Sequence, residues 1–85
     1  MNIDVRFFAG LREALNVSHL SLSVPENIKT IGALREHLCQ RGDVWAHTLA
    51  DGPLLRMALN QQMVGPESML SAGCEVAFFP PVTGG

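Results

Sequence analysis

The 85-residue chain contains no tyrosine, one lysine and two cysteines, and it has no long apolar run. Each shortage removes a class of function. Cys39 and Cys74 are too few to staple a disulfide scaffold and have no metal-ligand spacing, which fits a reducing compartment. His19, His37 and His47 are dispersed and share no zinc spacing either. The start, Met1-Asn2-Ile3-Asp4-Val5-Arg6, has an acid and no apolar stretch of membrane length, so it reads as neither signal peptide nor span, and the expected location is the cytoplasm. Lys29 is the sole lysine, which leaves little scope for lysine-linked chains of this protein on itself. Six Lys and Arg against eight Asp and Glu give a formal charge of −2 with no basic cluster, so nucleic acid is not an expected ligand. Charged residues are 16% of the chain, against a usual share of about 25%. With 47% hydrophobic residues, some apolar side chains must stay at the surface, where a partner would cover them. The length allows one small domain.

What is present is a succession of short periodic segments. Residues 2 to 8 alternate, with Ile3, Val5 and Phe7 on one side and Asp4, Arg6 and Phe8 on the other. Ala9-Gly10 breaks this strand, and Leu11 to Leu15 is expected to form a helical turn. His19 to Val24 is a second half-buried strand, with Leu20, Leu22 and Val24 inward. Thr30 is an expected N-cap for a helix running to about Arg41, with Ile31, Leu34 and Leu38 on one face, Arg35, Glu36 and Gln40 away from it, and Gly42 as its C′ residue. Trp45 and Leu49, four apart, predict a second short turn at one end of the core. Leu55, Met57 and Leu59 give a third strand. Asn60-Gln61 forms a tight hairpin into a short strand, 62 to 64, in which Val64 facing in turns Met63 out. Glu75 to Phe79 is the last strand, with Val76 and Phe78 on one face and Ala77 and Phe79 on the other.

Strand, strand, helix, strand, short strand, strand is the order of an α+β β-grasp fold, a mixed sheet of four to five strands with one main helix across one face. Residues 1–79 form that domain and 80–85 a flexible tail. The last strand then lies beside the first, so Phe8 and Phe79 share the face away from the helix, with Met63 extending the patch. Pro80 and Pro81 cannot continue a hydrogen-bonded strand, and they lead to Gly84-Gly85. Terminal glycines carry no Cβ and can enter a passage too narrow for other residues. The bland alternative is a frayed end. No Lys or Arg follows Arg56 while Glu67 and Glu75 do, so the tail should seek a positive receptor. Cys39 and Cys74 have no activating neighbour in the sequence and are expected to be small apolar groups.

Over nearly its whole length the chain resembles the sulfur-carrier small subunits of molybdopterin synthase. The resemblance is carried by Val76 to Gly85 (VAFFPPVTGG), Val5-Arg6-Phe7-Phe8-Ala9 with Leu11-Arg12-Glu13, Ala33-Leu34-Arg35 and Leu59-Asn60-Gln61. Cys74 stands where the family often has an acid. The resemblance implies that an E1-like adenylating enzyme uses ATP to form an acyl-adenylate at Gly85, and that a sulfur donor, a sulfurtransferase or cysteine desulfurase, converts this to a thiocarboxylate. It implies no stably bound cofactor or metal. The tail, with Gly84 beside the reacting carboxyl, then enters the large subunit, and sulfur passes to cyclic pyranopterin monophosphate. By the same resemblance Phe8, Met63, Phe79, Pro80, Pro81, Val82 and Thr83 contact the partner. A carrier for the thiamine thiazole or another sulfur route, and a ubiquitin-like modifier or interaction module, are the alternatives.

Overall fold

The computed structural model describes residues 1–81. In chain order it contains β1 (Asn2–Phe7), α1 (Ala9–Leu15), β2 (His19–Ser23), α2 (Ile31–Cys39), α3 (Asp43–Thr48), β3 (Arg56–Leu59), β4 (Gln62–Met63) and β5 (Glu75–Phe79). The strands make one sheet in the order β2-β1-β5-β3-β4. β1 is antiparallel to β2 and parallel to β5, while β3 is antiparallel to both β5 and β4. The last strand therefore lies beside the first, as the β-grasp order predicts, and the sheet has the larger of the two expected strand numbers.

Period-two alternation explains the core. Ile3, Val5 and Phe7 of β1, Met57 of β3, and Val76 and Phe78 of β5 turn to one face and are buried there together with Ile31, Leu34 and Leu38 of α2. Those three positions repeat at helical spacing, so one stripe of α2 meets the sheet. Phe7 and Phe78 stack with centroids 6.0 Å apart, and Trp45 of α3 meets Phe7 edge-on at 5.7 Å. Leu49, fully buried, closes that end of the core. Each such large side chain contributes about 1.5–3 kcal/mol through area removed from water.

α2 begins where the sequence predicts. Thr30 Oγ1 accepts the Ala33 N–H at 3.1 Å, and the carbonyls of Ser68 and Pro66 accept from Ile31 and Gly32. Most of the first-turn donors are thus satisfied although the helix start is covered by a loop. That covering is close: a Cβ on Gly32 would lie 3.1 Å from the Pro66 carbonyl oxygen.

Several boundaries differ from the sequence reading. The strand breaks at Ala9-Gly10 as expected, but β1 already ends at Phe7 and α1 starts at Ala9, two residues before the expected Leu11. β2 stops at Ser23 and β4 at Met63, one residue early in each case. α2 ends at Cys39 with Gln40 right-handed, and Gly42, at φ 150°, precedes α3 as its N-cap and does not close α2. Arg41 accordingly leaves the helix end and lies over the Trp45 ring, its Cζ 5.0 Å from the centroid. Arg35 does not face solvent. Its Nη1 donates to the Leu49 carbonyl at 2.9 Å, which ties α2 to the end of α3, and a hydrophobicity stripe is blind to an arginine used that way. Cys74 is buried and Cys39 half-buried. Among the described residues no helix is long and apolar enough to cross a membrane, and no His, Cys, Asp and Glu group could hold a metal.

Candidate functional site

The face of the sheet away from α2 is organised by strand register. Asp4 and Glu75 stand side by side on β1 and β5. One step nearer the end of β5, Arg6, Ala77, Ala58 and Met63 form a row across β1, β5, β3 and β4. A further step on, Phe79 lies opposite Arg56. Phe8 continues the ladder by donating its N–H to the Phe78 carbonyl at 3.2 Å, so its side chain emerges at the level of Phe79.

This register makes a groove of about 880 Å³, lined by Arg6, Phe8, Ala9, Ala58, Gln61, Met63, Glu75, Ala77, Phe79, Pro80 and Pro81. Ala58 and Ala77 form its floor and are buried although they face outward, because larger neighbours rise around them. Phe8 and Met63 are 46% and 65% exposed on its rim. Phe79, Pro80 and Pro81 are half-buried at one end. The structure therefore brings together five of the predicted partner-binding residues, Phe8, Met63, Phe79, Pro80 and Pro81. Val82, Thr83, Gly84 and Gly85 lie outside the described residues.

Local geometry explains why these side chains are presented. Phe8 is extended, and Ala9 follows at φ 53°, in the left-handed region. That reversal sends the chain into α1 and leaves Phe8 at the edge of the sheet. It costs about 1 kcal/mol for a residue with a Cβ. Asn60 and Gln61, at φ 50° and 70°, make the tight turn that two-residue hairpins require, and this sets Met63 opposite Ala58. The hairpin is fastened to β5, since Asn60 donates its backbone N–H to the Glu75 carbonyl at 2.8 Å and its side-chain oxygen accepts from Glu75 at 2.9 Å.

The groove wall is charged. Arg6 Nε donates to Glu75 Oε1 at 3.1 Å. Beyond it Asp4 Oδ1 accepts from Ser21 Oγ at 3.1 Å and faces His19 Nε2 at 3.4 Å. Neither the alanine floor nor the Arg6–Glu75 pair was singled out as part of a site from the sequence. Alternation turns Arg6 to the face of Phe8, but only the pairing of β5 between β1 and β3 sets Ala77 between Arg6 and Ala58.

The model of the ThiS family matches residues 5–85. The chain belongs to the ThiS family. A molybdopterin synthase sulfur carrier subunit from Haemophilus influenzae is 47% identical over 83 residues, covering 98% of this chain and 99% of that protein. Among solved structures, the crystal structure of SAMP1 from Haloferax volcanii superposes with a TM-score of 0.80 at 21% identity, with both chains fully covered. A protein–protein complex of subunits 1 and 2 of molybdopterin-converting factor from Helicobacter pylori matches with a TM-score of 0.69 at 24% identity, again with both chains fully covered. These two likenesses establish the shared ubiquitin-like fold. Within the family match, the described end of the chain, Phe79-Pro80-Pro81, is also the end of the groove.

Proposed function

We propose that this protein is the sulfur-carrier subunit of a molybdopterin synthase, working in the cytoplasm, with Gly85 as the carrying residue. The observation that supports it most is the joining of an apolar, alanine-floored groove to Phe79-Pro80-Pro81, the stem of the Gly-Gly tail, in a chain so similar along its length to a carrier of that name.

The chemistry follows from what a terminal glycine can and cannot do. A carboxylate is a poor electrophile, so an activating enzyme first joins it to AMP from ATP, with pyrophosphate leaving. The outer sulfur of the donor's persulfide then attacks the acyl-adenylate carbonyl and AMP departs. A second thiol attacks the donor-side sulfur of the resulting acyl disulfide, so that the thiocarboxylate leaves and the thiol ends in a disulfide with the donor. The thiocarboxylate is a soft nucleophile and is largely ionised at neutral pH, like an activated thiolate. The carrier next docks on the large subunit through Phe8, Met63 and Phe79. Pro80 and Pro81 aim the chain away from the sheet, Val82 and Thr83 contact the large subunit, and Gly84 and Gly85 bring the sulfur to cyclic pyranopterin monophosphate without side chains in the way. The protein is a cosubstrate that is recharged after each transfer. It binds no cofactor of its own, and ATP is used on the activating enzyme.

The test is intact mass spectrometry of the chain co-expressed with its activating enzyme, followed by transfer to a reconstituted large subunit. Replacement of one terminal oxygen by sulfur, and its loss as molybdopterin forms, is the expected result. Recovery of the chain only as isopeptide conjugates would move it to the modifiers. Molybdopterin formation by a variant lacking Gly85 would remove the terminus from the mechanism.

A further inference from the structure

Apolar contact does not account for the charge on the groove wall. The Arg6 guanidinium uses its Nε on Glu75, and its terminal N–H donors have no protein acceptor among the described residues. It stands 46% exposed, so water satisfies those donors in the free protein. A partner seated over Phe8, Met63 and Phe79 would remove that water. Burying guanidinium donors without acceptors is costly, so a complementary surface must present one there. Arg56, opposite Phe79, adds a second exposed guanidinium on the other side of β5. Asp4 and Glu75, side by side, lie one step farther from the tail. Charge on this face is therefore ordered along the strands, positive toward the tail and negative away from it.

We propose that Arg6 receives a carboxylate of the large subunit, and that this contact fixes the orientation in which the subunit docks. The inference rests on reading the groove as the large subunit's docking face. Glu75 holds the guanidinium in place before the partner arrives, so little side-chain freedom is lost when its open donors take a second acceptor. A carboxylate suits them better than a neutral carbonyl because ionised acceptors form the stronger bonds, and Arg56 raises the local positive potential. The floor of Ala58 and Ala77 leaves room for an apolar side chain projecting from the same partner. In the reversed orientation that carboxylate would face Asp4 and Glu75, where like charges repel. The rim thus ensures that the groove is filled with the tail pointing into the partner.

Association of the full chain with the large subunit, followed by stopped flow at low and high salt, tests this. Arg6→Glu should slow association by about tenfold or more at low salt, with the deficit shrinking at high salt. Arg6→Leu should lose the salt-dependent part and keep the apolar contact. Melting of each free variant controls for folding, with Arg6→Gln replacing any that fails. A lysine substituted for one acid on the large subunit that restores fast association to Arg6→Glu would identify the carboxylate. Wild-type association of Arg6→Glu at both salts, with binding weakened by Phe8→Ala plus Phe79→Ala, would overturn the role of Arg6 and leave the docking face standing. Wild-type binding by that phenylalanine pair variant would overturn the docking face itself. Faster association of Arg6→Glu would place a base opposite Arg6 and also reject the proposal.

Discussion

Phe7 and Phe8 are neighbours, as are Phe78 and Phe79, and each pair divides its members between the two faces of the sheet. Phe7 and Phe78 stack beneath α2 with almost no exposure, whereas Phe8 and Phe79 stand on the groove that abuts Pro80 and Pro81. The residue type is the same and the roles are opposite. On the covered face, phenylalanine is matched by Ile31, Leu34, Leu38 and Trp45, and its burial stabilises the monomer. On the open face it is set around two alanines, and no element of the described fold covers it. Hydrophobicity alone therefore does not distinguish a core phenylalanine from one on the open face. The distinction comes from which face the helix covers.

Four variants would break or sharpen this contrast. Phe78→Ala has the largest expected effect, about 3–5 kcal/mol of lost stability. Against the roughly 5–15 kcal/mol available to a small domain, that leaves little folded protein near physiological temperature, and urea unfolding would show it. Phe8→Ala combined with Phe79→Ala should leave a folded chain and weaken the complex with the large subunit by on the order of 100-fold, read by titration calorimetry. An equal loss of thermal stability would assign these residues to the core and erase the contrast. Ala58→Leu would fill the groove floor without touching the covered face. Roughly tenfold weaker binding with an unchanged melt is expected, since the added side chain occupies the space a partner needs. Thr30→Ala should do the reverse on a smaller scale, costing about 1 kcal/mol through loss of the α2 cap and leaving binding alone. For a domain of this size that is a fall of about 4–8 °C in Tm.

The sequence is most legible where period and chemistry coincide. Glu75–Phe79 has the predicted bounds, Thr30 caps α2, and the Asn60-Gln61 turn has the left-handed angles its residues allow. It is least legible where one residue serves a neighbouring element. Gly42 suggests a helix end and serves the start of α3, and Arg35 sits among polar neighbours yet holds Leu49 from across a turn. Ala58 and Ala77 carry no signal, because an alanine is unremarkable until its cross-strand neighbours are known.

By itself the chain determined which side chains alternate, where the prolines stop the last strand, and that Gly84-Gly85 follow an aromatic stem. Those are local matters, fixed by backbone sterics and by the two-residue period of a strand. The tertiary structure decided that β5 runs between β1 and β3, and this brings Arg6, Ala77, Ala58 and Met63, distant in sequence, into one row. Register is a long-range choice, set by which face must be buried under α2. The groove on the open face is the other side of that choice.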